Sequence, residues 1–187
     1  MNRGIIRFLI DAYVEIIRNT PFLVQLFIIY FGLPAVGFRA GAEVAALIGL
    51  TIYLTAYSTE IIRSGIEAVH RSQIEAGEAL GFTRLQIYRH VIILPALAKV
   101  YPALCSQFVL MMLASSVCSV ISTQELAASA AFVESQTYRS FEVYIVVTLI
   151  YLLLALCLRA VLALVGLWLF GRRVARRSVV AIPEASA

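Results

Sequence analysis

The groups in this 187-residue chain that could do chemistry are few, and none forms a catalytic constellation. There is no HExxH for zinc-assisted hydrolysis, no GxxxxGK[ST] to cradle nucleotide phosphates and no GxSxG nucleophile elbow. His70 and His90 stand at opposite ends of one polar stretch, and Cys105, Cys118 and Cys157 lie in apolar segments without a CxxC spacing. Cysteines so placed read as small buried hydrophobes, so neither a disulfide nor a zinc site is expected. What remains is recognition chemistry: Tyr57 and Glu60 near Arg63, the hydroxyls of Ser115 and Ser116, a lone Arg159, and the stretch Glu75-Ala76-Gly77-Glu78-Ala79-Leu80-Gly81, which opens a two-signed segment running through Arg84 and Arg89 to His90.

The elements that hold these groups are set by composition. Hydrophobic residues make up 61% of the chain and charged residues 14%, against roughly 45–50% and 25% in an average soluble domain. The expected fold class is all-α, a polytopic membrane helical bundle in one domain. A helix needs ~20 apolar residues to cross a ~30 Å hydrocarbon core. Four spans are therefore expected, Phe22 to Phe38, Val44 to Ile62, Val91 to Ser122 (longer than one crossing, so only part of it crosses) and Tyr144 to Phe170. No small-residue cleavage site precedes the first, so a removable signal peptide is not expected.

Residues 1 to 20 form an amphipathic pattern, with Ile5, Ile6, Leu9, Tyr13, Ile16 and Ile17 opposite Arg7, Asp11, Glu15 and Arg18. This predicts an interfacial or bundle-packed helix, interrupted at Thr20-Pro21 because the residue before proline is pushed out of helical geometry. Cations cluster before the first span (Arg3, Arg7, Arg18), in the central loop (Arg63, Arg71, Arg84, Arg89) and after the last span (Arg172, Arg173, Arg176, Arg177). The two other loops hold only Arg39 and Arg139. The positive-inside rule then puts both termini, the loop at 64–90 and the tail at 171–187 in the cytoplasm. The net charge of +4 is topology rather than a nucleic-acid footprint.

The central loop carries its own helix signals. Ser72 with Glu75 and Thr83 with Gln86 each fit a capping box, and Gly81 between them suits a left-handed helix end. The expectation is helix–turn–helix, with Ala76 and Gly77 bare enough for another surface to approach the backbone. A connecting loop needs no capped helices, so a soluble partner is preferred over a loop that merely lies on its own bundle. Elsewhere, Glu60 is read first as a helix-end carboxylate paired with Arg63, with a solute-path role as the alternative. Arg159 is read as snorkelling toward an interface. The serines of the third apolar region are assigned to close packing and interhelical hydrogen bonds, a minority to a solute path. Glu125 to Ala131 suggests a short helix in the loop at 123–142.

These residues resemble the permease subunits of bacterial ATP-binding-cassette importers of the type I fold. The family's loop reads Glu-Ala-Ala, three residues, Gly, and later Ile-x-Leu-Pro. Glu75-Ala76-Gly77, Gly81 and Leu94-Pro95 follow it, except that Gly77 replaces the second Ala and Leu-Pro comes one residue late. Residues Tyr13 to Phe27 with Tyr30 to Pro34, Ala56-Tyr57 through Glu60, Arg63-Ser64-Gly65, and Ser115-Ser116 with Glu125-Leu126 are similar to the polar amino acid branch. Leu113 stands where many members have lysine. Members of this branch usually have five spans, the first of which would precede residue 1.

The resemblance implies a non-enzymatic transport subunit in the bacterial inner membrane, working by alternating access beside a second, identical or paralogous permease. Its other partners would be an external solute-binding protein and two ATPase subunits, which hold ATP and magnesium; no cofactor is expected in this chain. It also implies that Glu75, Ala76, Gly77, Glu78, Ala79, Leu80 and Gly81 couple to the ATPase, with Leu94-Pro95 as the loop-to-span junction. Tyr57, Glu60, Ser115 and Ser116 are then the candidate pathway residues. The rival expectations are a membrane-embedded enzyme and a non-transporting or regulatory scaffold.

Overall fold

In the computed structural model, residues 3–38 and 41–177 are described; Arg39 and residues 178–187 of the tail lie outside them. The chain is helical throughout its apolar regions: α1 (Arg3–Arg18), α2 (Phe22–Ala35), α3 (Ala42–Glu67), α4 (Arg71–Ala79), α5 (Arg84–Gln86), a π-helical turn (Ile87–Ile93), α6 (Leu94–Ala114), a 3₁₀ turn (Ser115–Ile121), α7 (Leu126–Thr137) and α8 (Ser140–Arg177).

Three helical runs are long and apolar enough to cross a membrane alone: α3, the continuous Arg84–Ile121 and α8. The first expected span is shorter than its composition suggested. α2 has 14 residues, about 21 Å of rise, because it closes after Pro34 and the chain turns through Gly37 at φ +87°. It counts as a crossing only together with α1, to which it is bent by 108°. Pro21 makes that bend by ending α1 and starting α2 from an extended conformation. The buried Gln25 then ties the two ends, its amide donating to Ile17 O at 2.8 Å, Thr20 O at 3.0 Å and Thr20 Oγ1 at 2.7 Å. The Ile17 and Thr20 carbonyls are acceptors that an interrupted helix leaves without partners.

α3 is the organising element, packed against α1, α2 and α6. Its inward positions are small, Ala45, Ala46, Gly49, Ala56 and Gly65, which lets neighbouring backbones approach as membrane helices require. Leu26, Ala45, Ala46, Cys118 and Ile121 form the core where α2, α3 and the 3₁₀ turn meet. α8 packs on α6 through Tyr101, whose hydroxyl donates to Leu162 O at 2.6 Å. The ring lies so close to Gly166 that a Cβ there would sit 2.5 Å from Tyr101 Cε1.

Two sequence expectations change here, and the choice left open for α1 is narrowed to a bundle-packed helix. Cys118 is buried, but Cys105 is half-buried and Cys157 is exposed on α8, because the outward faces of these apolar helices are not covered within one chain. The serine hydroxyls do not bridge helices: Ser106, Ser115, Ser116 and Ser119 donate to Pro102, Met112, Leu113 and Ser116 carbonyls on their own helix. A hydroxyl three or four residues on reaches its own carbonyl before it can reach a neighbour's. Finally, α1 packs on α3 through the buried Val14 and through Tyr13, whose hydroxyl donates to Ile52 O at 2.7 Å, with Asp11 and Arg18 reaching Arg63 and Glu60, while Ile5, Phe8, Leu9 and Ile16 of its apolar side stay exposed.

Candidate functional site

The polar loop between α3 and α6 is built as a braced unit. Its stems meet at Gly65, where an added Cβ would overlap Val100 Cγ1 and lie 3.3 Å from the Ala96 carbonyl oxygen. Four residues after α3 ends, α4 begins. The expected capping box at Ser72 does not form, because the helix starts two residues earlier, at Arg71. His70 is the cap, its Nδ1 accepting from the Ser72 amide at 3.3 Å. Glu75 is thereby beyond capping reach and pairs with Arg71 Nε at 3.1 Å.

The other end of α4 follows its sequence signals. Gly81 adopts φ +75°, its amide donates to Glu78 O at 2.9 Å and the Phe82 amide to Gly77 O at 3.1 Å. That pair is the Schellman closure, which needs the left-handed residue glycine accepts without strain. The Thr83 box forms in both directions, Thr83 N–H to Gln86 Oε1 at 2.8 Å and Gln86 N–H to Thr83 Oγ1 at 3.4 Å.

The chain then widens into the π turn and enters α6 at Leu94-Pro95. Pro95 offers no N–H to the carbonyl four residues earlier and its ring crowds that oxygen, which favours a wider turn just before it.

Orientation within the loop sorts the sequence candidates. Gly77 is buried, and its bare face meets Ile87 and Val91 of the same chain, not an open surface: a Cβ would lie 3.3 Å from Ile87 Cγ1 and 3.5 Å from Val91 Cγ2. Glu75, Ala76, Glu78, Ala79 and Leu80 point outward. Beyond them Leu80, Phe82, Leu85 and Tyr88 are exposed, an apolar knob on an otherwise polar loop. An apolar group rimmed by charges is the surface signature of a partner contact.

The weaker pathway candidates do not converge. Tyr57 and Glu60 lie together on α3, where Glu60 accepts from Arg63 at 2.6 Å and approaches Arg18 at 3.6 Å, while Arg63 also approaches Asp11 at 3.7 Å. Arg18 stacks 5.5 Å over the Tyr57 ring. Glu60 is therefore paired with Arg63 as the sequence suggested, inside a wider network that ties α1 to α3. With Glu15 and Asn19 these groups line a cavity of about 560 Å³. Ser115 and Ser116 sit at the far end of α6 and do not line it.

At that far end Glu125 holds the outer helix, accepting from the Ala128 amide at 2.7 Å and from Tyr151 Oη–H at 2.8 Å. Arg159 is exposed on α8, enters no ion pair among the described residues, and borders a cavity of about 460 Å³ with Tyr101 and Cys105.

Sequence reading named no tertiary partner for Gly65, Ile87, Asp11 or Tyr151. Gly65 carried a signal, a glycine inside a helical stretch near a predicted loop base; the partners of Asp11 and Tyr151 carried none, being 52 and 26 positions away.

Comparison with known proteins adds three findings. The family model described as binding-protein-dependent transport system inner membrane component matches residues 1–170. The chain is similar to the probable glutamine ABC transporter permease protein GlnM of Bacillus subtilis (strain 168), 42% identical over 145 residues, 78% of this chain and 67% of that protein. It is also similar to the probable amino-acid ABC transporter permease protein PatM of Vibrio harveyi (38% over 144 residues; 75% and 65%) and the octopine transport system permease protein OccM of Rhizobium meliloti (36% over 178 residues; 89% and 72%). It thus spans about two thirds of the length of the first two.

Among solved structures, an amino acid ABC transporter crystallised with histidines superposes with TM-score 0.81 at 39% identity, over 89% of this chain and 78% of the other. The MetNI methionine ABC transporter, inward facing, superposes with TM-score 0.70 at 21% identity over 90% of this chain and 77% of the other, a likeness of fold.

Proposed function

This chain belongs to the family of binding-protein-dependent transport system inner membrane components, and on that premise we propose that it is the membrane-embedded half of an ATP-driven importer for polar amino acids or their close derivatives. The substrate class rests on relatives whose names specify glutamine, amino acids and octopine. The positive-inside pattern puts the α4 loop on the cytoplasmic side of the inner membrane. There it docks on a separate ATPase chain, which binds ATP and magnesium. A second permease chain completes the pathway, and an external binding protein delivers the solute.

The observation that carries this reading is the construction of the loop. α4 is capped at both ends, braced from behind by the π turn, and presents Glu75, Glu78 and the Leu80–Phe82–Leu85–Tyr88 knob outward. α4 follows α3 within four residues, and the turn runs directly into α6. A displacement of α4 by the ATPase is therefore passed to two spans at once. ATP biases the inward–outward equilibrium only by the difference in contact energy that this joint makes in the two states.

The test is reconstitution in proteoliposomes with the candidate ATPase and binding protein, with amino acids screened for stimulated ATP hydrolysis. Replacing Gly81 by valine puts a β-branched residue in left-handed geometry, which costs ~1–2 kcal/mol or more, and Glu75→Ala removes an outward carboxylate. Both are expected to uncouple hydrolysis from uptake. Unchanged uptake in correctly assembled complexes would refute the docking role.

A further inference from the structure

We propose that the π turn and Gly77 are a matched pair that fixes the pose in which α4 is offered to its ATPase; this deepens the docking reading and rests on it. A π turn holds one residue more than an α turn over a similar rise. A residue added to a straight α-helix would swing everything before it by ~100° about the axis, at 3.6 residues per turn. Concentrated in a π turn, the same residue widens the helix locally and leaves both flanks in register. Ile87–Ile93 is such a turn, and it stands in the interval where Leu94-Pro95 falls one residue late in the sequence.

The widening has a consequence on the face toward α4. Ile87, 5% exposed, is pressed against the backbone of α4 at Gly77, with Val91 beside it. The nearest atom is Ile87 Cγ1, next to the branch point of a β-branched side chain whose χ1 has essentially one helical rotamer. It cannot swing away as the tip of a long side chain could. An alanine at 77 would meet Ile87 Cγ1 at 3.3 Å, so the turn and α4 must part by a few tenths of an ångström, a shift that Glu75, Glu78 and Leu80 share. The bulge and the missing methyl are two halves of one fit, and the ATPase cleft that accepts this loop is matched to that pose.

A double-mutant cycle in the complete transporter tests this. One arm is Gly77→Ala; the other deletes one of the adjacent isoleucines 92 and 93, which converts the π turn to a plain α turn and opens space beside Gly77. Each single change is expected to lower substrate-stimulated ATP hydrolysis several-fold and to raise amide hydrogen exchange across residues 71–93. The double variant is expected to return to within about twofold of wild type, since contacting positions couple.

Additive losses, or a double variant no better than the worse single one, would overturn the pairing. If the deletion fails to assemble alone but assembles with Gly77→Ala, the pairing is supported. If neither assembles, Gly77→Ala with Ile87→Ala replaces it: protection restored in α4 supports the pairing, and additive exchange overturns it. Should the wild-type complex show no stimulated hydrolysis, the docking reading itself fails, while the exchange cycle still reports whether the two features are coupled.

Discussion

The crossing of α3 and α6 at Gly65 gives the sharpest prediction about the loop's base. In Gly65→Ala the new Cβ overlaps Val100 Cγ1 and meets the Ala96 carbonyl oxygen at 3.3 Å. Ordinary carbon contacts lie at about 3.5–4.0 Å, so relief requires Val100 to leave its rotamer or the helices to part. Valine in a helix keeps one χ1 rotamer about 90% of the time, and Ala96 presents fixed backbone, so the helices part. Overpacking of this kind costs ~1–3 kcal/mol, while alanine returns ~0.5–1 kcal/mol of helix propensity relative to glycine. The two ranges combine to ~0–2.5 kcal/mol, centred on a destabilisation of ~1 kcal/mol, which lowers thermal unfolding of the purified complex by ~2–4 °C.

The refutable part of that argument is the rescue. Val100→Ala alone removes two methyl-sized groups at ~0.8 kcal/mol each, yet combined with Gly65→Ala it removes the overlapping atom. The double variant should be more stable than the sum of the two losses by at least ~1 kcal/mol, beyond the ~0.3–0.5 kcal/mol within which independent sites add. Because α3 and α6 are the stems of the loop, Gly65→Ala should also reduce stimulated ATP hydrolysis, and the rescue should recover it. An alanine at 65 that melts at or above wild type, or a strictly additive pair, would show that this crossing does not set the loop's base.

Two further changes separate loop shape from outer-end stability. Thr83→Ala removes the hydroxyl half of the capping box, with an expected loss of ~0.5–2 kcal/mol read as increased amide exchange at Gln86 and Ile87, with the exchange of α7 unchanged. Tyr151→Phe leaves the half-buried Glu125 Oε2 without its 2.8 Å donor; a net hydrogen bond of this kind is worth ~0.5–1.5 kcal/mol, so α7 should exchange faster while α4 exchange stays at the wild-type level.

Legibility followed the range of the interactions. The Gly81 turn and the Thr83–Gln86 box were readable because each is settled within three or four residues by backbone chemistry that side-chain type dictates. The Ser72 box failed for an equally local reason: His70 offered a competing acceptor one residue before the helix began. The long apolar runs announced α3, the Arg84–Ile121 helix and α8, since span length is a property of composition. They did not announce that α2 stops at 14 residues, which is decided by Pro34 and the Gly37 turn acting together.

Interactions between distant positions left the weakest trace. Gly77 looked bare in the sequence, and bareness alone does not say whether the approaching surface is a partner's or the chain's own. The structure answers with Ile87 and Val91. That answer changes what the loop can transmit. A helix held only by its flanking turns would yield under load, and the energy of ATPase closure would be lost in bending it. α4 is instead capped at His70, closed by Gly81 and backed by Ile87 and Val91 of the π turn, on stems that meet at Gly65. On the docking reading, a displacement of α4 is then passed to α3 and α6 rather than spent in bending the loop.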